Sequence, residues 1–169
     1  MPFSCRDHLP PATPRAVSRA LDLLTGLATL QRLYDAAGPL DASRFPDEAL
    51  SHLAIDVDGG ADADLERVPA KGPLLVVANH PHGALDGLAL ASVLGRVRDD
   101  VKLLGNRLLA RIPEMRPHVV PIDSFVQGRA HNTGGVRAAL AWLREGHALV
   151  VFPAGEVSHM RDASGRIVD

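Results

Sequence analysis

Short apolar runs alternate with segments of helical periodicity after residue 70 of this chain. Residues 88–97, 108–112 and 133–145 have the helical spacing. Strands that alternate with helices indicate an α/β fold, with a mainly parallel sheet flanked by helices. The runs of strand length are Leu74–Ala78, Val101–Leu104, Val119–Ile122 and Ala148–Phe152. Because Pro121 has no amide hydrogen, the third strand is predicted to be short or to lie at a sheet edge.

The N-terminal segment has a different pattern, a proline-rich leader followed by a helix. The helix is predicted from Thr13-Pro14 to Gly38-Pro39, because a capping residue precedes proline at its start and glycine with proline ends it. Apolar residues recur along one helical face at steps of three and four: Ala16, Ala20, Leu23, Leu27, Leu30 and Tyr34. This face is suited either to packing on a protein core or to resting on a lipid surface.

Composition restricts the class of protein. The 169 residues suffice for one core but hardly for two independent domains. With a net charge of -2 and 4% aromatic residues, neither a basic stripe nor a base-stacking platform is available, so no nucleic-acid partner is expected. The single cysteine, Cys5, cannot form an internal disulfide, which fits a reducing compartment. No apolar run reaches the roughly 18 residues of a membrane-spanning helix.

A polar segment containing two histidines follows the first predicted strand. It reads Asn-His-Pro-His-Gly-Ala-Leu-Asp over residues 79–86. Functional groups in such sheets gather beyond the carboxyl ends of the strands. A histidine near a carboxylate supplies a general base and the group that orients it. His80 is therefore the first candidate for a base and Asp86 for its partner, while His82 stays an alternative because a helix would place it on the same face as Asp86.

This segment resembles the first motif of the glycerolipid acyltransferases, the lysophosphatidic-acid acyltransferase family. The common form is Asn-His, four residues and Asp, whereas five residues separate His80 from Asp86. The run is closer to the hemolysin-like branch, which includes lyso-ornithine-lipid acyltransferases. Residues 152–158, Phe-Pro-Ala-Gly-Glu-Val-Ser, resemble the family's Phe-Pro-Glu-Gly-Thr-Arg-Ser block. Val119–Asp123 resembles the intermediate block, with Ser124 where an arginine is usual.

The resemblance implies an O-acyltransferase of phospholipid biosynthesis. His80 would deprotonate the hydroxyl of a lysophospholipid or lyso-ornithine lipid, and Asp86 would orient its imidazole. That hydroxyl would attack the thioester of acyl-carrier-protein or acyl-coenzyme A. The substrate-binding residues would be Asn79, Gly83, Gly155 and Glu156. The resemblance implies no metal and no other cofactor, and a cytoplasmic protein peripheral to the inner membrane face.

Two other classes of function fit parts of the same pattern. His80 and His82 form a His-x-His pair after a strand, which together with Asp86 is compatible with a metal-dependent hydrolase. A non-catalytic lipid-binding module would bind lipid without turnover.

The resemblance also bears on domain organisation. Residues 1–40 are predicted to be a leader and helix, and residues 41–169 an acyltransferase-like domain. Because the family's domain normally continues beyond its last block here, this domain is expected to be truncated at its C-terminus.

Overall fold

Helices and strands alternate in the computed structural model, which describes residues 2–24, 27–38, 40–58, 62–123, 132–154, 159–160 and 167–168. The described helices are α1 (Arg15–Leu24), α2 (Leu27–Ala37), α3 (Phe45–His52), α4 (Asp62–Leu65), α5 (Ala84–Gly95) and α6 (Thr133–Arg144). The described strands are β1 (Leu74–Val77), β2 (Val101–Asn106), β3 (Val119–Ile122), β4 (Ala148–Val151), β5 (His159–Met160) and β6 (Ile167–Val168). The first four of these strands lie where the sequence predicts them.

Four strands form one parallel sheet in the order β1-β4-β2-β3. The predicted α/β fold is thereby confirmed. β3 lies at an edge, as expected from its proline, which cannot donate to a neighbouring strand. β4 lies between two strands, and its Ala148 and Val150 are fully buried. A continuous apolar run is typical of such a strand, because both of its faces are covered. β5 and β6 form a separate antiparallel pair.

Helices pack on both faces of the parallel sheet, but one face of β1 stays open, with Leu75 53% and Val77 59% exposed, so β1 is not the fully buried strand that its apolar run predicts. On one face α6 packs over β3 and β4, around a core of Val120, Ala139 and Leu149. Only glycine fits at position 135, because a Cβ atom there would lie 2.6 Å from the backbone oxygen of Pro121. On the other face α5 contacts β2, and α3 packs against α5.

The chain divides into two compact units, residues 1–40 and 41–169. In the first, the helix predicted from the sequence is present as α1 and α2. Among the side chains of these helices that the structure describes, the buried ones are polar: Ser18, Asp22 and Gln31. The carboxylate of Asp22 accepts hydrogen bonds from Ser4 Oγ and Cys5 N–H at 2.9 and 2.7 Å. Ala16, Ala20 and Leu23 are exposed, so of the two alternatives for the apolar face, packing on a core does not hold for its α1 part.

A buried arginine joins the segments at the amino ends of three strands. The side chain of Arg98 is inaccessible to solvent and donates two hydrogen bonds to Asp100, at 2.7 and 2.8 Å. It also donates to the carbonyl oxygens of Pro69 and Gly72, both at 2.9 Å, and of Gly146 at 3.2 Å. Because a buried charge must be paired and hydrogen-bonded, these contacts fix the segments that lead into β1, β2 and β4.

Replacing this arginine should destabilise the second unit strongly. Arg98→Met would remove two hydrogen bonds from the Asp100 carboxylate and leave three carbonyl oxygens without the Arg98 donor, which we expect to lower the free energy of unfolding by about 3 kcal/mol. Urea unfolding followed by circular dichroism measures this loss. The matched control is Arg96→Met, at an exposed position two residues earlier, with an expected change below about 0.5 kcal/mol. Equal effects of the two substitutions would contradict this role of Arg98.

The same cluster makes stability depend on acid pH. The hydrogen bond from the Arg98 guanidinium, and to a lesser extent one from His147, lower the pKa of Asp100 to about 2 from an ordinary value of 3.8, against the opposing effect of burial. Since the folded-state pKa is depressed, the stabilisation is complete above about pH 4 and is lost as pH falls towards 2. At neutral pH the free energy of unfolding of wild type should exceed that of Asp100→Asn by roughly 2 kcal/mol. This difference should vanish as the pH falls from about 4 towards 2. A difference in urea unfolding that is constant with pH would refute this assignment.

Candidate functional site

The candidate base and its carboxylate lie together at the carboxyl end of β1. His80 follows the strand by three residues, and its Nδ1 lies 3.1 Å from Asp86 Oδ2. Both side chains are largely buried, with exposed fractions of 20% and 15%. The same Asp86 oxygen accepts a hydrogen bond from the backbone N–H of His82 at 2.9 Å. His80 Nδ1 makes no well-directed hydrogen bond to any described residue, so its contact with Asp86 is close but off the hydrogen-bond direction.

A glycine turn places Asp86 in the first turn of α5. Gly83 precedes the helix with φ +65°, a conformation that favours glycine, and α5 begins at Ala84 rather than at the predicted residue 88. A carboxylate in the first turn is stabilised by the helix dipole. The prediction that His82 and Asp86 share a helical face is wrong, because His82 precedes the helix and contacts Asp86 through its backbone.

Parallel pairing brings the second sequence block beside the first. β1 and β4 are neighbours, and Ala78 N–H donates to Val151 O at 3.2 Å just beyond the paired residues. Phe152 follows β4 directly, and its ring stacks on that of His80, with centroids 4.2 Å apart and planes inclined by 24°. Two segments more than 70 residues apart in the sequence therefore meet at one end of the sheet.

A shallow pocket opens beside this pair of rings. Its volume is about 180 Å³. It is lined by Val77, Ala78, Asn79, His80, Pro153 and Ala154. The pocket is thus built from the last residue of β1 and from residues that follow β1 and β4, with His80 in its wall. Its size suits the reacting end of a substrate rather than a whole lipid.

The predicted substrate-binding residues fall into two groups. Asn79 is exposed and lines the pocket, and Gly83 lies at the turn before α5. Gly155 and Glu156 lie outside the residues that the structure describes, so their predicted roles stay predictions. The stack of Phe152 on His80 was missed by sequence reasoning. The signal for it was the position of Phe152, which opens the second block at the end of a buried strand.

The intermediate block lies at the carboxyl end of β3. Because the sheet is parallel, this is the same end of the sheet at which His80 lies. Arg107, which follows β2, lies with its Nε 3.5 Å from Asp123 Oδ2 and is 61% exposed. Its backbone N–H donates to Ile122 O at 2.8 Å. The side chain of Asn132 holds Asp123 in turn: its Oδ1 accepts from the backbone N–H of Asp123, and its Nδ2 donates to the backbone oxygen of Asp123. An arginine therefore stands at the strand end next to this block.

The described parts of the chain offer neither a metal cluster nor a membrane-spanning helix. Those parts contain no group of three or more histidine, cysteine or acidic side chains placed to hold a metal ion. His80 and His82 thus do not form a three-ligand site with Asp86 among the described side chains. None of the described helices combines the length and the apolar character needed to cross a bilayer.

Comparison with known proteins agrees with this arrangement. The acyltransferase family model matches residues 62–166. A lyso-glycine lipid O-acyltransferase of Bacteroides thetaiotaomicron is 34% identical over 99 residues, which are 58% of this chain and 35% of that protein. One of the same name from Phocaeicola vulgatus is 34% identical over 106 residues, 62% of this chain and 36% of that protein. No solved structure matches.

The matched segment contains both sequence blocks and all four strands of the parallel sheet. The chain spans about a third of the length of the curated relatives that it matches. The family model covers more than half of the chain. This chain belongs to the acyltransferase family.

Proposed function

We propose that this chain transfers an acyl group from a thioester to the hydroxyl of a lysolipid, with His80 as general base. The observation that carries the proposal is the His80–Asp86 pair, largely buried at the strand end and open to a pocket. The similarity to two lyso-glycine lipid O-acyltransferases supports it. The proposed donors are acyl-carrier-protein and acyl-coenzyme A, with no metal or other cofactor. The proposed acceptors are lyso-glycine lipid, lyso-ornithine lipid and lysophospholipids.

The geometry suits a base-catalysed attack. Nδ1 of His80 faces the Asp86 carboxylate, so its Nε2 is the nitrogen left to accept the proton of the acceptor hydroxyl. The oxygen then bonds to the carbonyl carbon of the thioester, and the bond from carbon to sulfur breaks when the tetrahedral intermediate collapses. The imidazolium returns its proton to the departing thiolate. Asp86 stabilises the positive charge that His80 carries between these two transfers.

The developing oxyanion needs donors near the same place. The amino end of α5 begins at the Gly83 turn, and a helix N-terminus offers free backbone N–H groups and a positive partial charge. Donors of this kind stabilise a tetrahedral oxyanion more than the ground-state carbonyl. In this proposal Gly83 admits the thioester to those donors, and Asn79, Gly155 and Glu156 contact the acceptor.

Removing the base should abolish turnover and leave lipid binding intact. We expect His80→Gln to lower kcat about a thousandfold, and Asp86→Asn about a hundredfold, because each removes proton transfer or its orientation. The measurement is transfer of labelled acyl groups from both donor classes to lyso-glycine lipid, lyso-ornithine lipid and lysophosphatidate. His82→Gln is the matched control and should stay within about threefold of wild type, since only its backbone contacts Asp86.

Each rival function predicts a different result in this experiment. Full activity in His80→Gln would end the proposed mechanism. Lipid binding without turnover in wild type would favour a non-catalytic module. Stoichiometric zinc in the purified protein, lost with activity on chelation, would favour the metal-dependent hydrolase.

We further propose that α1 rests on a membrane surface, at the cytoplasmic face where a reducing compartment is expected. The buried positions of this helix are Ser18 and Asp22, both polar. Its exposed positions include Val17, Leu23 and Leu24, with exposed fractions of 46%, 66% and 83%. At 100° per residue these apolar side chains lie on the far side of the helix from the buried pair.

Charge at the border of this face favours a lipid partner. Arg19 is also exposed, one turn before Leu23 on α1 and next to it around the helix. Arginine beside an apolar helical face is typical of helices that lie in the headgroup region of anionic membranes. Such a position would bring the protein to a lysolipid acceptor, which partitions into the bilayer.

Polar substitutions on this face should weaken vesicle binding. We expect Leu23→Ser together with Leu24→Ser to reduce the affinity for anionic phospholipid vesicles at least about tenfold, because two exposed leucines lose their burial in lipid. Co-sedimentation measures the affinity. Leu53→Ser, at an exposed leucine of the second unit, is the control and should bind like wild type. Unchanged binding of the double variant would contradict the proposed surface.

A further inference from the structure

We propose that Phe152 is a positioning residue whose ring sets the plane of the His80 imidazole for proton transfer. The inference rests on the proposed role of His80 as base. Phe152 belongs to the second sequence block, residues 152–158, so this block would orient the base as well as bind the acceptor.

The Asp86 contact leaves the plane of the imidazole free. His80 Nδ1 lies 3.1 Å from Asp86 Oδ2, yet it makes no well-directed hydrogen bond to a described residue. The same oxygen is already the acceptor for the backbone N–H of His82. Rotation about the Cβ–Cγ bond of histidine has a broad energy profile, so the carboxylate alone does not hold the ring in one plane. Another contact must do so.

The stacked ring of Phe152 supplies that contact. The two ring centroids are 4.2 Å apart and the planes differ by 24°, so rotating the imidazole out of this plane would drive its edge into the phenyl face. Such a contact restricts the rotation that the carboxylate leaves open. The aromatic face also attracts a cation, which favours the imidazolium formed during the reaction.

The phenyl ring is itself fixed by the sheet. Phe152 directly follows β4, whose Val150 and Ala148 are fully buried between two parallel strands. β1, from which His80 extends, is the neighbour of β4, with Val77 opposite Val151. Both rings therefore follow neighbouring strands of one sheet, Phe152 directly and His80 by three residues, and a site supported on such rigid elements can be held to within about 0.5 Å.

The test compares the loss of the aromatic ring with its retention. Phe152→Leu keeps an apolar side chain but removes the ring face, and we expect kcat for acyl transfer to fall about tenfold while KM for the lysolipid changes less than about threefold. Phe152→Tyr keeps the face and should restore kcat to within about threefold of wild type. A side chain that merely filled space would be replaced equally well by leucine.

A spectroscopic measurement reports the stack without any turnover. The carbon-bound ring protons of His80, assigned by their loss in His80→Gln, should be shifted upfield by the phenyl ring current in wild type. This shift should persist in Phe152→Tyr and disappear in Phe152→Leu. The measurement of this shift requires no substrate. A protein that shows the shift but no acyl transfer would therefore contradict the proposed function and still establish the stack.

A second aromatic stack at the opposite end of the sheet provides the control. Trp142 stacks on His147 with centroids 3.9 Å apart and planes inclined by 24°. Trp142→Leu should leave both the His80 shifts and the kcat of the folded protein unchanged. Phe152→Leu with wild-type kcat, or Phe152→Tyr as impaired as Phe152→Leu, would overturn the positioning role. An upfield shift that survives in Phe152→Leu would overturn it as well.

Discussion

The parallel pairing of β1 with β4 is the interaction on which the rest of this molecule depends. β4 has neighbours on both sides and α6 packs on it, and its Ala148 and Val150 are fully buried. Burial of these apolar side chains offsets the entropy lost when two distant segments meet. Once the pair forms, the residues that follow the two strands meet at the carboxyl end of the sheet, which places Phe152 against His80.

The two ends of the sheet use polar groups for different purposes. At the amino ends, the Arg98 side chain satisfies a carboxylate and three backbone carbonyls, so every charge in the cluster has a partner. At the carboxyl ends, His80 and Asp86 are close but imperfectly bonded, and a pocket opens beside them. A fully paired network stabilises the fold, whereas an incompletely paired histidine next to an open pocket can exchange a proton with a substrate.

Much of this could be predicted from the sequence. The strands and their parallel arrangement follow from continuous apolar runs alternating with helical periodicity, and the His80–Asp86 pair from its place after a strand. The start of α5 was predicted four residues late. The segment after Gly83 was interpreted as part of a polar loop, whereas Ala84 and Leu85 are the first residues of the helix. α3 was not predicted at all, and its packing on α5 is a tertiary effect that local patterns do not reveal.

Sequence patterns also failed where packing reverses their usual meaning. The apolar face of α1 was expected either to join a core or to rest on lipid, and the structure exposes it while burying Ser18 and Asp22. The hydrogen bonds from Ser4 and Cys5 to Asp22 favour this orientation of α1. The spacing of apolar residues along the helix cannot predict such hydrogen bonds. The aromatic stack was missed for a similar reason, since the contact between Phe152 and His80 exists only through the register of two strands.

The central claim is that the two sequence blocks act as one unit across the β1–β4 pair. A double-mutant cycle on kcat for acyl transfer tests it most directly, with His80→Gln, Phe152→Leu and both substitutions together. If Phe152 acts only through the imidazole, the double variant should be no slower than His80→Gln alone. If the two losses multiply instead, Phe152 and His80 act independently, and the claim is contradicted.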